Sequence, residues 1–77
     1  MCDPARGEHR YTVAQVRLQP GHAEVMFYES ARIYRLPREQ AGFDETAALL
    51  RQAQASGAAV CVRTSADGVV ARVRLAP

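Results

Sequence analysis

The alternation of side chains from Tyr11 to Leu18, broken at Gln19-Pro20-Gly21-His22, constrains this chain more than any other feature. Apolar residues with a period of two belong on a strand, because successive side chains of an extended chain point to opposite faces. Proline presets φ and glycine accepts a positive φ, so the break reads as a hairpin turn. A second strand follows over Ala23 to Glu29. Ser30-Ala31 is the next turn, and a third short strand, Arg32 to Leu36, ends at Pro37. After a polar loop, Asp44 is the N-cap of a predicted helix through Glu45, Ala47, Leu49, Leu50 and Ala53, which Ser56-Gly57 stops. Val60 and Val62 then alternate with Cys61 and Arg63, and Ser65-Ala66-Asp67-Gly68 turns the chain into a last strand, Val69 to Leu75.

The expected order is therefore β-β-β-α-β-β, an α+β domain of five mostly antiparallel strands with one helix. Residues 1–10 lack periodicity and read as a flexible N-terminal tail, leaving 11–77 as a single small domain. Apolar residues at 48% and charged residues at 23% match a globular chain rather than a disordered one. A chain of 77 residues makes only a small core, one that rarely contributes more than about 3–5 kcal/mol. Self-association would support such a domain, because two cysteines do not make a disulfide framework.

The turns also set an expected register, since directly opposed residues of an antiparallel pair share a face. A loop at 19–22 opposes Leu18 to Ala23, Val16 to Val25 and Ala14 to Phe27. A loop at 30–31 opposes Phe27 to Tyr34 and Val25 to Leu36, and the last hairpin opposes Thr64 to Val69, Val62 to Ala71 and Val60 to Val73. All three hairpins then place apolar residues on one face. The other face carries Val13, Tyr28 and Ile33 in one row with Met26 beside them, more apolar surface than a solvated face needs. Either the sheet curls or the helix covers these four residues, or they are an interaction face for a homo-oligomer or a protein partner.

The same parity on the last two strands presents Arg63, Arg72 and Arg74, which with Arg17 form the candidate anion or nucleic-acid site. The alternative is a solvated face whose charges guard against aggregation. Net charge gives no strong signal: residues 1–45 hold six Arg against seven acids (−1), and residues 46–77 hold four Arg against one acid (+3), for a total of +2. The absence of Lys beside fourteen Ala fits GC-rich bacterial codon usage. Cys61, expected opposite Arg72, would have a lowered thiol pKa if free, although cysteine is also a common small apolar residue in sheets.

His9, His22, Cys2 and Cys61 show no metal-ligand spacing, and no phosphate loop or nucleophile elbow is present. Asp44 and Glu45 read as helix cap and dipole partner rather than an acid/base pair. The expectation is a non-catalytic protein without cofactor or metal. With no apolar segment long enough for a membrane span and an acidic start lacking a signal core, it is expected in the cytoplasm.

The β-β-β-α-β-β order is similar to the oligonucleotide/oligosaccharide-binding (OB) fold, a small, partly open five-stranded barrel. Ala48 to Gly57, followed by Val60-Cys61-Val62 and Val69 to Leu75, also looks like the ends of small bacterial proteins related to the B subunits of pentameric toxins. These resemblances imply a small OB-like barrel and no particular binding residues. A β-grasp domain is the alternative fold, disfavoured by the third strand before Pro37.

Overall fold

The computed structural model describes residues 1–77. A 3-10 turn at Pro4–Arg6 leads into strand β1 (Glu8–Gln19), followed by β2 (His22–Phe27), β3 (Ser30–Pro37), helix α1 (Phe43–Ser56), β4 (Ala59–Thr64) and β5 (Val70–Leu75). One sheet holds all five strands in the order β3-β2-β1-β4-β5, and every ladder is antiparallel. The two edge strands approach each other at a single parallel bridge, Arg35 to Val69, where the Arg35 amide donates to the Gly68 carbonyl at 2.8 Å. No ladder closes the sheet. No helix is long and apolar enough to cross a membrane.

β1 is long because it serves two partners in succession. Its first half, Glu8 to Thr12, pairs with β4, and its second half, Val13 to Gln19, pairs with β2. A bulge at Ala14 separates the halves and inverts the alternation. This corrects the expected Ala14–Phe27 pair: Val13 opposes Phe27, and Val13 lies in the core at 2% exposure instead of on the interaction face. The sequence holds a trace of this in its larger side chains, which fall at Tyr11 and Val13 before the bulge and at Val16 and Leu18 after it.

The β2–β3 turn falls at Tyr28-Glu29, two residues earlier than expected, so Val25 opposes Tyr34 and Ala23 opposes Leu36. Contacts to a third strand fix that position. The Thr12 amide and hydroxyl donate to the Glu29 carboxylate at 2.7 and 2.8 Å, and the Tyr28 amide donates to the Thr12 carbonyl at 3.0 Å. A slip of two residues preserves which face each side chain takes, so Val25, Tyr34 and Leu36 are still core residues. In the last hairpin a further irregularity opposes Thr64 to Val70 and Val62 to Val73, which buries Val70 and leaves Ala71 exposed.

α1 presents Phe43, Ala47, Leu50 and Ala53 to the sheet, a spacing of three and four residues that keeps them on one side of the helix. They join Val13, Ala23, Val25, Phe27, Leu36, Val60, Val62 and Val70 in a single core. The helix begins one residue before the expected cap. Gly42, at φ 78°, is the N-cap and makes no side-chain cap bond, while Asp44 stands with Glu45 in the first turn, where a negative charge complements the helix dipole. Burial of Phe43, with the Arg38 guanidinium 5.3 Å from its ring centre, draws the extra residue into the helix. Gly57, at φ 76°, closes the other end by donating to the Ala53 carbonyl.

Candidate functional site

The outer face of β1, β2 and β3 is narrower as an apolar surface than its sequence pattern implies. Gln15, Met26 and Ile33 form one cross-strand row, and Arg17, Glu24 and Arg35 form the next. Ile33 is 52% exposed and Met26 half-buried, with Tyr28 in the adjoining turn at 75% exposure. Three of the four expected interaction residues are thus at the surface, and the fourth, Val13, is part of the core.

The outer face of β4 and β5 departs further from expectation, because the first seven residues lie across it. Cys2 and Cys61 form a disulfide that spans 59 residues of sequence. Cys61 is 1% exposed and has no free thiol, so the reactive-thiol reading is overturned. Its cross-strand neighbours are Arg10 on β1 and Arg74 on β5, rather than Arg72. Residues 1–10 are likewise not a featureless tail: Asp3 caps the 3-10 turn by accepting from the Ala5 amide at 3.0 Å, and β1 begins at Glu8. Sequence alone could not pair Cys2 with Cys61, because only the β1–β4 ladder brings the two ends of that interval together.

Arg74 anchors this strap. Its guanidinium donates to both Glu8 carboxylate oxygens, at 3.1 and 3.0 Å, and to the Met1 carbonyl at 2.9 Å. The Asp3 amide also donates to Glu8, at 2.8 Å. These donors, Arg74 foremost, hold the Glu8 carboxyl down to about 2, and the Glu8 carboxylate in turn raises the already high Arg74 value. Arg6 pairs with Asp3 at 3.4 Å.

A cleft of about 600 Å³ lies between strap and hairpin, lined by Asp3, Arg6, Glu8, Arg63, Arg72 and Arg74 among others. The structure thus brings Arg63, Arg72 and Arg74 together and leaves Arg17 out. Arg17 stands nine residues along β1 from Glu8, on the order of 30 Å of strand.

Several contributors had no sequence signal. Glu29 binds across to β1, and although partial burial would raise its carboxyl, the Thr12 amide and hydroxyl hold it below the usual range. His9 stacks on Tyr11 at 5.4 Å, Tyr11 meets Phe27 at 4.9 Å and Phe27 meets Tyr34 at 5.6 Å, an aromatic column at one end of the core. Burial pushes the Tyr11 phenol up, and the neighbouring Tyr34 hydroxyl adds to the shift. The β4–β5 loop is tied to β3 by Arg32, which donates to the Ala66 carbonyl at 2.9 Å. No three His, Cys, Asp or Glu side chains gather as a metal-binding group.

No protein-family model and no curated protein matches the sequence. Two solved structures share the fold: pro-protein-glutaminase, with a TM-score of 0.78 at 17% identity, and a mutant of it, with a TM-score of 0.77 at 16% identity. Each alignment covers 88% of this chain and 24% of the other, so the domain spans about a quarter of the length of those precursors. At such identities the likeness is one of fold.

Proposed function

We propose that this domain is a non-catalytic interaction module that buries the outer face of β2 and β3 against protein, a second copy of itself in the simplest case. The observation that carries this reading is the exposure of Tyr28 and Ile33 beside Met26 on an otherwise ordered sheet. Large apolar side chains grouped at a surface, rimmed by charge, are the usual composition of a protein-binding patch. The rim is the row Arg17, Glu24, Arg35, in which a two-fold axis lying between Arg17 and Glu24 would face the arginine of each copy with the glutamate of the other. A standard interface removes roughly 800 Å² from each partner. Of a total surface of 4779 Å², that is more than the three apolar residues offer alone, so the charged row belongs to the interface.

On this reading the architecture is a small OB-like barrel, for which the Arg35–Val69 bridge between the sheet edges is the support. A fold that recurs as a quarter of an enzyme precursor is compatible with a domain that acts against other protein surfaces. The disulfide favours an oxidising compartment over the expected cytoplasm, since reducing compartments keep thiols free.

Light scattering over a concentration series tests the proposal. Association that weakens in Ile33→Asp, with the fold retained by circular dichroism, is the expected result. A parent protein that stays strictly monomeric at millimolar concentration refutes the self-association.

A further inference from the structure

We propose that the cleft between the N-terminal strap and the β4–β5 hairpin is a binding site for a doubly charged phosphate group, free or as a phosphomonoester. Arg63 and Arg72 are directly opposed on β4 and β5, and like charges in that relation repel. Neither has a hydrogen-bond or ion-pair partner. The two acids nearby are already engaged: Glu8, which stands opposite Arg63 on β1, is bonded by Arg74, and Asp3 pairs with Arg6. The charged side chains of the lining, Arg6, Arg63, Arg72 and Arg74 against Asp3 and Glu8, sum to +2, an excess of positive charge that suits a phosphate dianion.

Placement of these groups adds to their charge. Opposed Cβ atoms in a ladder lie about 5 Å apart, which lets two guanidinium forks converge on one tetrahedral oxyanion. The Arg63 stem runs beside Gly7, where an added Cβ would stand 3.7 Å from its Cγ, so the strap supports one wall. Arg74, fixed by Glu8 and the Met1 carbonyl, supports another. A cleft of about 600 Å³ falls within the range that holds small ligands. The row Glu8, Arg63, Arg72 runs across β1, β4 and β5, and its one carboxylate is hydrogen-bonded by Arg74, so neither opposed arginine has a bonded counter-ion. The cleft lies on β4 and β5, away from the β2–β3 face, so its test is independent of the interaction reading.

The experiment is a nuclear magnetic resonance titration at low ionic strength with inorganic phosphate and with glycerol phosphate, using chloride at matched ionic strength as control, alongside thermal melts. Saturable shifts at the strap and at β4–β5 are expected. Arg63→Gln and Arg72→Gln should each weaken binding about tenfold, the factor for losing one charge-assisted contact, while Arg51→Gln on the helix leaves it unchanged. In phosphate-free buffer Arg72→Gln should melt no lower than the parent, because it relieves the repulsion, yet it should lose the phosphate-induced rise. Tighter binding of glycerol phosphate identifies a monoester as ligand, and tighter binding of inorganic phosphate identifies the free ion. Equal shifts with chloride, or an equal loss in Arg51→Gln, overturn the proposal.

Discussion

Opening the Cys2–Cys61 disulfide should cost this domain about half of its stability. The bond closes 59 residues of a 77-residue chain, so it restricts nearly the whole unfolded ensemble. The chain-entropy relation gives about 14 cal/mol/K for a loop of that length, or about 4 kcal/mol at 25 °C. A core of this size supplies at most about 3–5 kcal/mol, so the bond adds about as much as the whole core and the reduced protein should keep only that marginal remainder. At about 4–8 °C per kcal/mol for a domain this small, the melting temperature should fall by roughly 15–30 °C. Urea unfolding followed by circular dichroism, with and without reductant, measures the difference, and titration of two thiols confirms reduction. Cys2→Ala should reproduce the loss, since Cys2 lies only half-buried in the strap. Cys61→Ala should cost more, because it also empties a fully buried position. The urea slope should rise on reduction, as the unlinked chain exposes more surface when it unfolds. A fully reduced protein within 1 kcal/mol of the oxidised one would refute the assignment of stability to this bond.

Leu50→Ala, at a fully buried helix position facing the sheet, should lose about 2–5 kcal/mol in urea unfolding, comparable to everything the core supplies. Gly68→Ala should lose at least about 1–2 kcal/mol, because Gly68 sits at φ 81° and an added Cβ would meet Arg32 Nη2 at 3.0 Å. Its melt, compared with that of Gly21→Ala, where φ is 82° and no atom lies within 4 Å, separates the crowding from the backbone strain. Because Arg74 and the Asp3 amide depress the Glu8 carboxyl from 4.5 to about 2, its contribution is complete above pH 4.5 and disappears as pH falls towards 2. The stability gap between the parent and Glu8→Gln should therefore close across that window in acid unfolding.

Strand identity was legible in the sequence, and so was the helix, because both rest on local periodicity and turn chemistry. The Pro20-Gly21 turn gave the Leu18–Ala23 and Val16–Val25 pairs correctly, since proline and glycine restrict the backbone within a few residues. Where pairing depended on distant residues, the reading drifted. The turn at Tyr28-Glu29 is stabilised by Thr12 on another strand, and no local signal distinguishes it from Ser30-Ala31. The bulge at Ala14 marks where β1 exchanges β2 for β4 as its partner, a property of the sheet and not of the segment. One inserted residue there moved Val13 from the proposed surface into the core.

The same limit accounts for the strap. Met1, Cys2, Asp3 and Glu8 have no periodicity, yet all four contribute to the surface over β4 and β5, through Cys61 and Arg74. The partners of Cys2, Glu8 and Met1 are 59, 66 and 73 positions away, so these interactions exist only once the β1–β4 and β4–β5 ladders have formed. Folding must reach those non-local pairings before the disulfide can close, and the bond then holds the sheet that created it. The charge pattern follows from that order. Asp3 in the strap pairs with Arg6, and Glu8 at the start of β1 pairs with Arg74 although it stands opposite Arg63, so Arg63 and Arg72 have no bonded counter-ion. The commitment of the Glu8 and Asp3 carboxylates to Arg74 and Arg6 keeps the two facing arginines available to an anion from outside.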